Sequence, residues 1–115
     1  MRYIKIIMLF LGLFLFDNFL YGNIHADYIN QGKTYINELD IERAIYSFSK
    51  AIEFNQNSVE AYLQRAKAYL LNNQFEKSSA DYKKAMEIDP DYVRERLNIR
   101  INTGGVNLSG YDSME

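Results

Sequence analysis

Residues 25–58 and 59–92 can be laid over one another without a gap, and the 34-position offset constrains the fold more than any other feature. The superposition pairs Tyr28 with Tyr62, Lys33 with Lys67, Tyr35 with Tyr69, Glu42 with Glu76, Lys50 with Lys84, Ala51 with Ala85 and Glu53 with Glu87. Between the identities the exchanges are conservative: Gly32/Ala66, Ile36/Leu70, Ile41/Phe75 and Phe48/Tyr82. A fixed period in this range belongs to stacked supersecondary units, each burying its apolar face against the next. Such arrays act by presenting a surface, so the period points to binding.

Each unit resolves into two helical stretches. Tyr28, Gly32 and Tyr35 fall at i, i+4 and i+7, as do Ala44, Phe48 and Ala51; the second unit repeats this with Tyr62, Ala66 and Tyr69, then Ser78, Tyr82 and Ala85. That spacing lays one stripe along a helix. Leu39-Asp40 and Asn72-Asn73 make the inner turns, Asn being tolerant of left-handed backbone angles. Asn55-Gln56-Asn57-Ser58 is the break between units, with Ser58 placed to cap the next helix, and Asp89-Pro90 ends the last one. The small residues Gly32, Ala66, Ala44, Ser78, Ala51 and Ala85 let helices approach closely while aromatics fill the space beside them. The expected fold class is all-α: tandem antiparallel helix hairpins.

On these residues the chain resembles the tetratricopeptide repeat family. Tyr28-Gly32-Tyr35-Ala44-Phe48-Ala51 and Tyr62-Ala66-Tyr69-Ser78-Tyr82-Ala85-Pro90 follow its order of aromatic, small and aromatic, then small, aromatic and small, with a closing Pro. The departures are Gln56 for that Pro, Leu39 and Asn73 for the turn Gly, and Gln31 and Arg65 where Leu is common. The resemblance covers about residues 25–90. After Pro90 the stripe Val93, Leu97 and Ile101 starts a further helix, but Arg96 and Arg100 replace its aromatic and its small residue. The expectation there is a capping helix ended by Thr103-Gly104-Gly105, then a disordered tail over 103–115.

The family resemblance implies a concave groove, lined by the first helices of successive units, that holds a peptide. The positions carried over are Ile29, Lys33, Ile36 and Asn37, then Glu60, Leu63, Gln64, Lys67, Leu70 and Leu71, with Arg94, Leu97 and Asn98 from the cap. They describe an apolar floor with two lysines one repeat apart, suited to an apolar segment flanked by acids. A subset of the family clamps a C-terminal carboxylate on this face. The matching places here are Ile29, Lys33, Gln64, Arg94 and Asn98, and only Arg94 keeps the charge, so no such clamp is expected.

The first 26 residues follow another pattern. Arg2 and Lys5 precede the apolar run Ile6–Phe16, and Asp17 and Asn18 follow it. That is the layout of an export signal, with Gly22 or Ala26 before the cut and Leu20 or Ile24 two residues earlier. The alternative is a membrane anchor through residues 6–21. Eleven residues of helix reach about 17 Å against a hydrocarbon core of about 30 Å, and extending the span to Tyr21 places Asp17 inside it, at about 2–3 kcal/mol near midplane. The expected division is therefore 1–26 as signal peptide or anchor and 27–102 as two repeats with their cap.

No catalytic constellation is present: His25 is the single histidine and the chain has no cysteine, which removes triad chemistry, thiolate metal sites, disulfides and lipid attachment. Neither an enzyme nor a cofactor is expected. Removing Arg2, Lys5 and Asp17 from 13 basic and 15 acidic residues leaves 11 and 14, a balance unlike that of a nucleic-acid binder. The richness in Ile, Asn, Lys, Tyr and Phe suggests an AT-rich bacterial gene. The function expected from sequence is an exported, periplasmic or secreted adaptor for an unidentified protein or peptide. The alternatives are a self-associating scaffold, two units being fewer than such arrays usually need, and a membrane-tethered subunit.

Overall fold

The computed structural model describes residues 2–103, with side chains to Asn98. Five helices follow in order: α1 Arg2–Asn37, α2 Ile41–Phe54, α3 Val59–Leu71, α4 Phe75–Ile88 and α5 Pro90–Thr103. No strand occurs among the described residues, and consecutive helices pack on one another. The chain is an all-α array of helix hairpins, α1 with α2 and α3 with α4, closed by α5. The expectations for the tail at 103–115 and for the side chains of Arg100 and Ile101 lie outside the described residues.

The alanines make the seam between the hairpins. Ala51 on α2 meets Ile29 on α1 and Ala61 on α3, with Tyr28 and Ile52 packed around them. Ala44 and Phe48 on α2 meet Ala68 on α3, and Tyr35, Ile36, Ile41 and Ile45 surround that contact. Within the first hairpin, Gly32 faces the fully buried Phe48: a Cβ there would lie 2.5 Å from the ring. Glycine is required at that place by the aromatic opposite. Ala85 is likewise fully buried. In the second hairpin the Ser78 hydroxyl donates to the Ala66 carbonyl at 2.8 Å, so the hydroxyl is satisfied where Ala44 stands in the first.

Both inner turns use the same backbone device. Asp40 N–H donates to Tyr35 O at 2.9 Å and Leu39 N–H to Ile36 O at 3.1 Å; one repeat later Gln74 N–H donates to Tyr69 O at 2.8 Å and Asn73 N–H to Leu70 O at 3.1 Å. This paired pattern needs a left-handed residue just past the helix, and Leu39 (φ 62°) and Asn73 (φ 57°) supply it. Asp40, Ser58 and Asp89 then accept from backbone N–H groups of the next helix at 3.2, 3.2 and 2.9 Å. Gln74 occupies the corresponding place before α4 without a side-chain cap bond.

α1 runs unbroken through residue 26. The repeat register explains why. Ser58 caps α3, and 34 residues earlier the same place holds Ile24, which has no side-chain oxygen to stop a helix. At its C-terminal end the segment before residue 26 touches the body. The His25 ring nitrogen Nδ1 lies 2.9 Å from Ala51 O, and Phe54 packs between Tyr21 and Tyr28 with ring centroids 5.9 and 5.7 Å away.

Candidate functional site

The seam between α1 and α3 and the seam between α3 and α5 occupy equivalent places in the repeat, yet they differ in closure. In the first, Ile29 is covered by Ala51 and Ala61 and is only 5% exposed. Lys33 Nζ bonds Glu60 Oε1 across it. In the second seam Leu63 stands where Ile29 stood, and the place of Ala61 falls to the exposed Glu95. In the 34-residue register the place of Glu60 falls to Arg94, and that of Lys33 to Lys67. Two cations cannot repeat the Lys33–Glu60 bond. Arg94 instead pairs with Asp91 on its own helix at 3.2 Å. Lys67 has no acidic side chain within 4.0 Å among the described residues.

A cavity of about 190 Å³ lies between α3, α4 and α5. Leu63, Val93 and Leu97 give its apolar floor, Tyr82 and Tyr92 its walls, and Lys67, Arg96, Gln64 and Glu60 its polar rim. Val93 is the buried anchor of α5 at 1% exposure, whereas Leu97 is 42% exposed. Arg96 lies over the Tyr92 ring, 5.0 Å from its centroid, a contact that holds a guanidinium in place at modest energy.

Of the residues assigned from sequence, Glu60, Leu63, Gln64, Lys67 and Leu97 line this one cavity, and Lys33 joins its edge through Glu60. The others do not gather there. Ile29 is core, and Ile36 is half-buried against the Ala44–Phe48–Ala68 contact. Asn37 ends α1 on the surface, Leu70 and Leu71 are exposed at the end of α3, and Arg94 is turned to Asp91. Tyr82, Tyr92 and Arg96 were not assigned to the groove. Tyr82 comes from the second helix of its hairpin, a helix expected to stay behind the groove.

A second polar arrangement was not foreseen. Arg65 bonds both oxygens of Asp81 across the second hairpin, at 2.7 and 2.8 Å, and donates to Ser49 Oγ on α2 at 3.1 Å. The Asp81 side chain is 8% exposed and that of Arg65 19%. The hydrogen bond to Asp81 holds the guanidinium further above its ordinary value, and partial burial opposes the shift. Tyr62 and Tyr69 flank it, each ring centroid 5.7 Å away. The pair fixes α4 against α3 and reaches α2. It faces away from the cavity lining and is a packing element. The signal was legible in principle, since an Arg in place of an apolar inward residue needs a buried partner.

Comparison with known proteins agrees with the repeat fold. The family described as "Tetratricopeptide repeat" matches residues 59–92, and the one described as "TPR repeat" matches residues 32–73. The chain belongs to the tetratricopeptide repeat family. The first match has the bounds of the second unit as the 34-residue offset draws it. Among curated proteins, a UDP-N-acetylglucosamine–peptide N-acetylglucosaminyltransferase from Giardia intestinalis is 29% identical over 72 residues, 63% of this chain. The match covers 5% of that relative's length. Tetratricopeptide repeats generally mediate contacts between proteins. Among the described residues no cluster of His, Cys, Asp or Glu would hold a metal ion.

Proposed function

We propose that this protein is an adaptor, delivered across a membrane by its N-terminal segment, that binds an apolar protein segment carrying acidic side chains in the cavity between α3, α4 and α5. The observation that carries this reading is the charge reversal in the repeat register. Glu60 pairs with Lys33 across the first seam, and Arg94 holds the equivalent sequence position at the second, leaving Lys67 without that acidic partner beside an apolar floor. An incoming acidic group restores the missing partner of Lys67, while its apolar neighbour covers Leu63 and Leu97. Desolvated together, these contacts have the form of a small interaction hot spot, with aromatic and Arg side chains around it. The adaptor needs no catalytic group, and binding is by surface complementarity.

The test uses affinity capture from the native host with the tagged full chain, comparing wild type with Leu63→Glu, Arg94→Glu and the distant control Tyr46→Glu. The reading expects a reproducible bound protein that is lost with the first variant, weakened with the second and retained with the control. Retention by all three, or equal loss by all three, removes the support for this cavity.

A further inference from the structure

We infer that the N-terminal segment is not discarded: α1 is one continuous rod whose first part, about residues 3–21, lies across a lipid bilayer and whose last part is the first helix of the first repeat. Export in the preceding section bears on this only in naming the side on which the repeats lie.

Three observations carry it. First, every residue from Arg2 to Asn23 is exposed, and α1 contains an 18-residue window long and apolar enough to cross a membrane, none of it buried in the protein. Residues Tyr3 to Tyr21 span about 27 Å as helix, close to the hydrocarbon thickness of about 30 Å. That places a tyrosine at each boundary, where amphipathic rings are favoured. Arg2 and Lys5 then lie at the end that stays on the side of synthesis, and Lys5 can extend along the helix to the headgroups. Asp17 is the cost of this placement, and it lies nearer one boundary than the midplane.

Second, the helix does not stop where a leader would be cut. Gly22 is preceded at two residues by Leu20, and Ala26 by Ile24, so neither place offers the small-x-small pattern. Both sit inside unbroken helix, whereas a peptidase takes its substrate extended.

Third, the residues around the cut belong to the repeat. In the 34-residue register α3 begins at Val59, and the equivalent first position is His25. His25 contacts the Ala51 carbonyl, and Tyr21 packs on Phe54 at the end of α2. Removal after Ala26 would take away both contacts and the first two positions of the repeat's own helix. Because Tyr21 is at once the boundary tyrosine and a neighbour of Phe54, the end of α2 is held at the bilayer surface. The adaptor cavity then rides at a fixed height above the lipid.

The test is made on the full chain with a C-terminal tag, produced in a bacterial host. Membranes are separated, washed with alkaline carbonate, and the tagged protein is weighed by intact-mass spectrometry. The proposal expects a carbonate-resistant, membrane-held species with the mass of the uncut chain. It also expects the Leu9→Arg/Leu13→Arg double variant to lose most of the membrane-held fraction with an unchanged helical spectrum, since neither side chain touches the repeats. A mature chain beginning at Asn23 or Asp27 overturns it in any fraction, as does uncut protein that carbonate releases. Leu63→Glu, which tests the cavity, leaves the fractionation unchanged, so the two readings fail separately.

Discussion

Removing either half of the Arg65–Asp81 pair should destabilise the protein more than removing both. Asp81→Ala deletes two charge-assisted hydrogen bonds of 2.7 and 2.8 Å and leaves a largely buried guanidinium with Ser49 as its remaining hydrogen-bond partner. Breaking a fully buried pair costs about 3–5 kcal/mol. Arg65 keeps 19% of its side chain in solvent and can move partly outward, so about 2–3 kcal/mol is the expected cost. Arg65→Leu leaves the less exposed Asp81 without its cation and should cost somewhat more, about 3–4 kcal/mol. Arg65→Leu with Asp81→Ala leaves no buried charge and fills the place with an apolar side chain, at about 1–2 kcal/mol. The assay is urea unfolding of the full chain in mild non-ionic detergent, followed by far-ultraviolet circular dichroism. In heat the single variants should melt about 8–32 °C lower, from the usual 4–8 °C per kcal/mol in a domain this small. A double variant whose loss equals the sum of the singles would show that the two side chains are not coupled and refute the reasoning.

Three further outcomes follow from the repeat comparison. Gln74→Asp should stabilise α4 by about 1 kcal/mol, because Asp40 caps the equivalent helix while the buried Gln74 Oε1 accepts no hydrogen bond; chemical denaturation reads it. Gly32→Ala should destabilise despite its better helix propensity, since overpacking costs about 1–3 kcal/mol and the new methyl would meet Phe48 at 2.5 Å. Asp40 should tie the start of α2 to pH: its carboxyl is held below the ordinary value by the Arg43 side chain and then by the Arg43 N–H. A depressed folded value means this support is present above about pH 4 and is lost as the pH falls through the lower folded value. Hydrogen exchange at the first turn of α2 should rise there in wild type and be insensitive to that range in Asp40→Asn.

The hairpins were legible because small residues at fixed offsets leave one way for two helices to nest, and Gly32, Ala44, Ala51 and Ala85 all lie buried as that argument requires. The start of the first repeat was harder to see. A change in composition near residue 26 suggests a boundary, but a helix ends only where backbone groups find other partners, and Ile24 offers none. For the cavity, the positions carried over from the family resemblance included Glu60, Leu63, Gln64, Lys67 and Leu97, which line it. Ile29 misled because equivalent positions share an environment only when the next helix packs equally well. Ala61 covers Ile29, whereas α5 leans on the body chiefly through Val93 and leaves Leu63 half-buried at the edge of the cavity. The Lys33–Glu60 bond and its reversal at Lys67 and Arg94 were present in the sequence from the start. Their meaning emerged once the two seams could be compared.

The account depends most on the second seam being open because Arg94 replaces an acid. The direct measurement is site-specific photo-crosslinking in living cells, with a benzophenone amino acid at Gln64 or Leu97, in the wild-type chain and in Arg94→Glu. The account predicts a discrete adduct from both positions and none from the exposed control Tyr46, with the yield falling when Glu at residue 94 gives Lys67 the partner that Lys33 already has. Equal adducts from Tyr46 and the cavity positions, or a yield indifferent to Arg94→Glu, would contradict it.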